Sequence, residues 1–474
     1  MIKVTVKFHG TFPARKGIPL IDLLVRKGIP IHAACNGQGR CGLCRIKIEK
    51  GARPHDEIEK LFINKHLAQQ HYHLACRFCP TTDTVITIPA TLQGRAKKSA
   101  EGALALDLGT TVLKGALVDL GSKKIIRTAH TLNLQNTMGG DVITRIGRAI
   151  TGEYDQLHAM LMKSIIALKR QLGVTRPLFT TVVGNSVMLS FFLKKPVDGL
   201  AGYPFQSALD HGVFQNDPPR YIFPVIGSFV GGDIISGILA SGAYRTNKNV
   251  LYADLGTNGE VVLITPDRIL ATSTAAGPAF EGVGISCGSL AVPGAIKKVG
   301  IHRGKFTCKV IDQKKPLGIC ASGLIDLLYH ALEHGHISDS GKLIKPIVIG
   351  DLVLTQNDIR KLQLAVGAIR TGMKILLKQG ELSSRMIDEV VLTGEFGGRL
   401  RPRALTQIGL IPSGQIKLTS KKDLALKGAV TVLTNDRARR HIEDIKNKSM
   451  HLELANHPEF QKEFVRAMRF SAWE

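Results

Sequence analysis

One unit occurs twice in this chain: an apolar strand running into Asp-Leu-Gly-Thr, a turn, and a second apolar strand. The first copy is ALALDLGTTVLKGALVDL, with Asp107, Gly109, Thr110 and Thr111. The second, LYADLGTNGEVVLI, with Asp254, Gly256, Thr257 and Asn258, follows 147 residues later. One such turn is weak, since many hairpins look like it. Two copies, each between apolar strands, predict a pair of related lobes. Each turn presents backbone N–H groups and hydroxyls to phosphate oxygens, with glycine allowing close approach. Each aspartate can hold a magnesium ion directly or through its waters, because Mg2+ keeps several waters and takes few carboxylates.

A third element is expected where an adenosine would lie. The run EVVLTGEFGGRL supplies a strand ending at Thr393, then Gly394, Gly397 and Gly398 before a helix. A glycine-rich turn with no ligand is the plainer reading of that run alone; two phosphate hairpins upstream in the right order favour the nucleotide role. Neither GxxxxGK[ST] nor a GxGxxG after a strand is present, so those nucleotide folds are not supported. The expected architecture is an α/β two-lobed, RNase H-like domain of the actin, Hsp70 and sugar-kinase (ASKHA) kind, binding ATP and Mg. Asp233, in FVGGD, is the candidate catalytic carboxylate that orients water; a helix N-cap is its other reading. The stretch STAAGPAFEGVG (273–284) either lines the cleft, with Glu281 as a polar contact, or is only a tight connection.

Five of the eight cysteines lie in the first 79 residues. CNGQGRCGLC sets Cys35, Cys41 and Cys44 at C-x5-C-x2-C spacing, and Cys76 follows in HLACRFCP. Such clustering without a secretory leader argues for metal over disulfides. Four thiolates from a glycine-rich loop and one distant segment suit a 2Fe-2S cluster, one residue longer in the loop than the C-x4-C-x2-C form. Structural zinc is the alternative, but zinc knuckles favour paired C-x2-C units and have no use for such a loop. IKVTVKF, CRIKIEKG and TDTVITIPA read as strands and IDLLVRKGI as a helix, the order of an α+β β-grasp ferredoxin domain. Cys79 reads as a spare thiol near the cluster, and Cys287, Cys308 and Cys320 as core thiols.

A net charge of +25 calls for an acidic partner or nucleic acid. The excess is spread out, and no basic stripe is interleaved with aromatics, so specific nucleic-acid binding is not expected. A solvated basic surface and electrostatic steering toward an acidic protein both fit. No segment predicts a membrane span, the nearest, from Gly227, carrying Asp233. The start lacks the regions of a signal peptide, so a cytoplasmic location is expected. The domain reading is a ferredoxin domain over 1–92, a linker over 93–101, a first lobe over 102–248, a second over 249–440 and a helical tail over 441–474.

Beyond the phosphate motifs, STAAGPAFEGVGISCG (273–288), PLGICASGLID (316–326), LTQNDIRKLQLAVGAI (354–369), GEFGGRL and LANHPEFQKEFVRAM resemble the reductive activators of corrinoid proteins over nearly the whole chain. The resemblance implies ATP-dependent transfer of one electron from the 2Fe-2S cluster to cob(II)alamin on a corrinoid protein, restoring cob(I)alamin in a methyltransferase system, with an upstream electron donor. Three departures stand out. The chain reads as a short form lacking the family's middle domain, Leu189 and Ser190 stand where members often carry histidines, and no cysteine cluster follows the last lobe. An ATP-driven electron donor to another metalloenzyme and a redox-gated nucleotide sensor are the rival functions.

Overall fold

The structure, a computed structural model, describes residues 1–29, 31, 37–39, 42–88, 101–256, 258–313, 315–394, 400–435 and 437–473. Its first unit is a small sheet built from β1 (Ile2–Val6), β2 (Gly10–Ala14), β3 (Arg45–Lys50), β4 (Tyr72–Leu74) and β5 (Thr84–Thr87). The helices α1 (Leu20–Arg26), α2 (Glu57–Phe62) and α3 (Lys65–Gln69) connect them. Strand order is β2-β1-β5-β3-β4, with β5 parallel to β1 and antiparallel to β3. Alternation in β1 turns Ile2, Val4 and Val6 onto Leu20, Leu23 and Leu24 of α1, which makes this unit's core.

A second sheet follows. β6 (Ala103–Leu108), β7 (Val112–Asp119) and β8 (Lys124–Leu132) form an antiparallel meander. After α4 (Val142–Arg148) and α5 (Tyr154–Leu172), β9 (Thr180–Gly184) lies parallel to β6. Then come α6 (Ser186–Leu193), the hairpin of β10 (Val213–Asn216) with β11 (Pro219–Ile222), and α7 (Gly232–Ser241).

The third sheet repeats this plan. β12 (Val250–Leu255), β13 (Gly259–Ile264) and β14 (Ile269–Thr274) form the same meander. A smaller sheet of β15 (Ala295–His302), β16 (Lys305–Val310) and β17 (Gly318–Ile319) comes next, then α8 (Ala321–Glu333). The hairpin of β18 (Ile347–Ile349) and β19 (Leu352–Leu354) leads into α9 (Gln356–Gln379). β20 (Glu389–Gly394) is parallel to β12 as β9 is to β6. The chain continues through α10 (Pro402–Gln407), β21 (Lys417–Ser420), α11 (Leu424–Thr434), α12 (Ala438–Lys448), β22 (Ser449–His451) and α13 (Phe460–Ala467). Residues 441–474, expected as a helical tail, thus also supply an edge strand, because β22 pairs with β14.

Strand alternation explains the layers. Leu104, Leu106 and Leu108 face the side covered by α4, α5 and α6, while Ala105 faces the opposite side. In β12, Leu251, Ala253 and Leu255 face the α8 and α9 side, and Val250 and Tyr252 face away from it. The two inward faces enclose one shared core with α7, α11 and α12 between the sheets. Asp107 continues the Ala105 face and Asp254 the Tyr252 face, so both acids stand at the strand ends over this shared layer. The repeat read in the sequence is therefore a repeat of topology.

Candidate functional site

Where the shared layer opens, the two hairpins border a cavity of about 570 Å3, within the usual range for small-molecule sites. Asp107, Gly109, Thr110, Thr111, Asp254, Gly256, Asn258, Asp233 and Gly394 all line it. Thr257, Gly397 and Gly398 lie outside the described residues. The N-cap of α7 is Gly231, so Asp233 stands inside the first turn, where its Oδ1 accepts from the Ile234 N–H at 2.9 Å. Gly231 explains how this helix start gets there: a Cβ at that position would lie 2.1 Å from the Gly184 carbonyl oxygen. Only a residue without a side chain lets α7 approach the turn between β9 and α6, and so puts Asp233 between the two hairpins.

Sequence reasoning missed several lining residues. Glu260 sits opposite Asp254 across β12 and β13, and Lys114 opposite Asp107 across β6 and β7. Opposed residues share a face, so the second hairpin presents two acids where the first presents an acid and a cation. Lys114 Nζ bonds Asp423 Oδ1 at 2.7 Å, tying the first hairpin to the residue before α11. Asn185, the N-cap of α6, donates from Nδ2 to Thr110 Oγ1 at 3.0 Å and so orients that hydroxyl. Glu281 and Phe280 also reach the cavity, so the stretch 273–284 lines the cleft.

The carboxylates perturb one another. Burial pushes Asp233 well above the usual carboxylate range, and the charges of Asp107 and Asp254 push in the same direction. Glu260 is raised too, first by burial and then by Asp233, Asp254 and Glu281. Crowding of like charges favours the protonated forms here, and a cation among these carboxylates would favour the ionised ones. Asp107 and Asp254 are the residues suited to hold Mg2+, with Asp233 between them free to face a water, and the hairpin amides are suited to phosphate oxygens.

In the first unit, Cys44 and Cys76 are both buried, with their sulfurs 3.3 Å apart. That separation is less than two metal–thiolate bonds of about 2.3 Å span end to end, so one iron can take both. Cys35 and Cys41 lie outside the described residues. Gly42 has a φ of +68°, and a Cβ there would lie 2.5 Å from the Phe62 ring, so the ligand loop packs backbone-first on α2. The Cys76 side is fixed by Glu59, which is fully buried. Its carboxylate takes hydrogen bonds from the Leu74 N–H at 2.9 Å and from His73 Nδ1 at 3.1 Å, and pairs with Arg53 at 3.2 Å. Burial alone would raise Glu59, but the His73 and Leu74 hydrogen bonds outweigh it and hold the carboxyl below its ordinary value. Cys79 is half-buried with its thiol toward the Arg77 carbonyl, while Cys287 and Cys320 are core residues and Cys308 is half-buried.

Leu189 and Ser190 are fully buried in α6, and the Ser190 hydroxyl bonds the Ser186 carbonyl at 2.8 Å. Neither position presents a side chain at the surface.

Three family models match the chain in succession. The 2Fe-2S iron-sulfur cluster binding domain matches residues 7–81, the RACo middle region residues 102–246, and the C-terminal domain of RACo, the ASKHA domain, residues 248–474. The expected absence of a middle domain is thereby overturned. The stretch read as the first lobe is the middle region, and the short linker left no other segment to recognise as one. Corrinoid activation enzyme RamQ of Eubacterium limosum is 30% identical over 411 residues, 76% of this chain and 69% of that protein. The [Co(II) methylated amine-specific corrinoid protein] reductase of Methanosarcina barkeri is 27% identical over 354 residues, 65% of each. The solved structure of a reductive activator for corrinoid,iron-sulfur protein superposes with a TM-score of 0.71 at 26% identity, covering 100% of this chain and 99% of that one.

Proposed function

The chain belongs to the RACo family of reductive activators of corrinoid proteins, and from that membership we propose that it couples ATP hydrolysis to one-electron reduction of a protein-bound cob(II)alamin, restoring cob(I)alamin. The observation that carries the reading is the meeting of two acidic hairpins and Asp233 on one cavity, in a chain that also brings Cys44 and Cys76 together. Cys35, Cys41, Cys44 and Cys76 would hold a 2Fe-2S cluster, which supplies a low-potential one-electron carrier when bound.

In this reading residues 1–92 deliver the electron, and the lobes 102–248 and 249–440, with the segment 441–474, work the nucleotide. Thr110, Thr111, Thr257 and Asn258 receive the phosphates of ATP, and Gly394, Gly397 and Gly398 lie against its adenosine. Asp107 and Asp254 hold Mg2+, and Asp233 orients the attacking water. Closure of the lobes changes the surface offered to the corrinoid protein. If the closed form prefers one oxidation state of the partner by about 3 kcal/mol, the partner's apparent potential moves by about 125 mV, at ~59 mV and ~1.4 kcal/mol per factor of ten. ATP binding supplies that preference, and hydrolysis resets it. A separate upstream donor refills the electron.

The deciding experiment mixes reduced protein, MgATP and a cob(II)alamin-loaded corrinoid protein without oxygen and follows cob(I)alamin absorbance. Cob(I)alamin is expected to grow in only when ATP is present. An intact cluster and measurable ATP binding with no cob(I)alamin would redirect the electron to another metalloenzyme. The +25 charge favours a partner with an acidic face. The association rate is then expected to fall about tenfold or more between ~0.05 and ~0.3 M salt; a salt-independent stopped-flow rate would leave the basic surface without a steering role.

A further inference from the structure

Behind the first phosphate hairpin lies a buried cation, Arg145 of α4, with no exposed surface. Its guanidinium is spent on neutral acceptors. Nε donates to the Gly139 carbonyl at 2.9 Å, and Nη1 to Gln135 Oε1 at 3.0 Å and to Met188 Sδ at 3.3 Å. Nη2 donates to the Thr110 carbonyl at 2.7 Å and to Asn136 Oδ1 at 2.8 Å. Among the described residues no carboxylate forms an ion pair with it. Burial pushes its pKa down to about 9, against a pull in the other direction from Asp141, so the group stays charged at neutral pH. A buried charge lacking a counterion is costly, and this one is placed directly behind a loop suited to bind anions.

The hairpin's carbonyls show what the charge does. The Gly109 and Thr110 carbonyls accept from Asn133 Nδ2 at 3.2 and 3.1 Å. The Thr111 carbonyl accepts from the Asn133 N–H and from Asn136 Nδ2, both at 3.0 Å. In a planar trans peptide the carbonyl and the following N–H point in opposite directions. With the Gly109 and Thr110 carbonyls held from behind, the Thr110 and Thr111 N–H groups turn away from α4, toward the cavity these residues line. Successive N–H groups on one side make an anion-binding concavity.

We propose that Arg145 is a positioning residue for the triphosphate: through the Thr110 carbonyl it fixes the hairpin with its amides toward the cleft, and it sets a positive charge behind them. This rests on the reading of the cavity as an ATP site. Arginine suits the task because a planar fork can satisfy several fixed acceptors at once, which a lysine ammonium cannot.

The test uses the full, cluster-loaded chain and compares wild type with Arg145→Lys and with the milder Asn136→Ala. Binding of MgATP, MgADP and adenosine is measured by calorimetry, and ATP turnover is split into KM and kcat. For Arg145→Lys, MgATP is expected to bind about 30-fold more weakly, within the ten- to hundredfold range of outer-shell partners, with adenosine unchanged within about twofold. KM should rise far more than kcat falls. Asn136→Ala should show the same pattern at about fivefold, and carries the test if Arg145→Lys does not fold. Equal weakening of MgATP and adenosine would reduce Arg145 to a packing role and overturn the proposal. So would unchanged MgATP affinity in a variant with the wild-type visible spectrum. A wild type that binds adenosine but no MgATP would instead sink the ATP reading itself, and the proposal with it.

Discussion

Replacing Cys76 with serine is expected to abolish corrinoid reduction while leaving MgATP binding within about twofold of wild type. Cys76 and Cys44 meet at 3.3 Å in the core of the first unit, and neither lines the cavity that Asp107 and Asp254 border. Loss of an outer-shell partner already costs ten- to a hundredfold, so loss of a ligand should cost at least about 100-fold in cob(I)alamin formation. Visible absorbance should bleach in parallel. Cys79→Ser is the control, since its thiol points toward the Arg77 carbonyl; it should retain both the spectrum and the activity. If Cys76→Ser retained full visible absorbance, the ligand assignment would fail, with Cys79 as the replacement to test next.

Asp233→Asn should do the opposite to the two properties of the other lobes: turnover falls, and the nucleotide- and magnesium-free protein becomes more stable at neutral pH. Asp233 is raised by burial and then by Asp107 and Asp254, so the folded protein keeps its proton where the unfolded chain, ionising near pH ~3.9, has lost it. The folded state then binds more protons than the unfolded state. By linkage its stability is greatest below the unfolded value and falls as pH rises toward the folded one, by up to about 1.4 kcal/mol per pH unit for one proton. Glu260 contributes with the same sign, and the cluster titrates as a unit. Melting curves at pH 5.5 and 8 should therefore fall less steeply with pH for the variant than for wild type. Magnesium with nucleotide should offset the wild-type loss. ATP hydrolysis should drop about 100-fold, the lower end for a positioned acid–base group. Parallel pH slopes in the two proteins would show that Asp233 is already ionised in the folded, nucleotide-free state, and the stabilisation expected of the variant would be lost.

Much of this was legible before any coordinates. The D-L-G-T repeat works as a sequence marker because a strand, a tight turn and a second strand are local. Period-two alternation then says which residues share the face of Asp107 and Asp254. Glu260 and Lys114 were readable by the same rule, since hairpin register alone places them opposite those aspartates. Asp423 was not: it comes from the start of α11, hundreds of residues from Lys114, and no local pattern marks that contact. Arg145 left a fainter trace. It falls three residues after Val142 and one before Ile146, on the buried face of α4, where a charge is out of place. The missing middle domain was a misreading of scale, because half of a two-lobed fold carries no label distinguishing it from a whole one.

The helices between the sheets also have a consequence for how the polypeptide matures as it is made. The inner side of the second sheet, with Ala105, Ala116 and Val118, is finished by Ala425, Ala429 and Val432 of α11. The Thr181 hydroxyl reaches the Ala429 carbonyl across 248 residues. At roughly 5–20 residues per second, that partner leaves the ribosome some 12–50 seconds after the strand it covers. For that interval the nascent sheet exposes an apolar face, a natural client for a chaperone. The β-grasp unit closes within its own first ninety or so residues and faces no such wait. The order of synthesis therefore allows the iron carrier to be assembled and loaded while the motor that will drive it is still an unfinished chain.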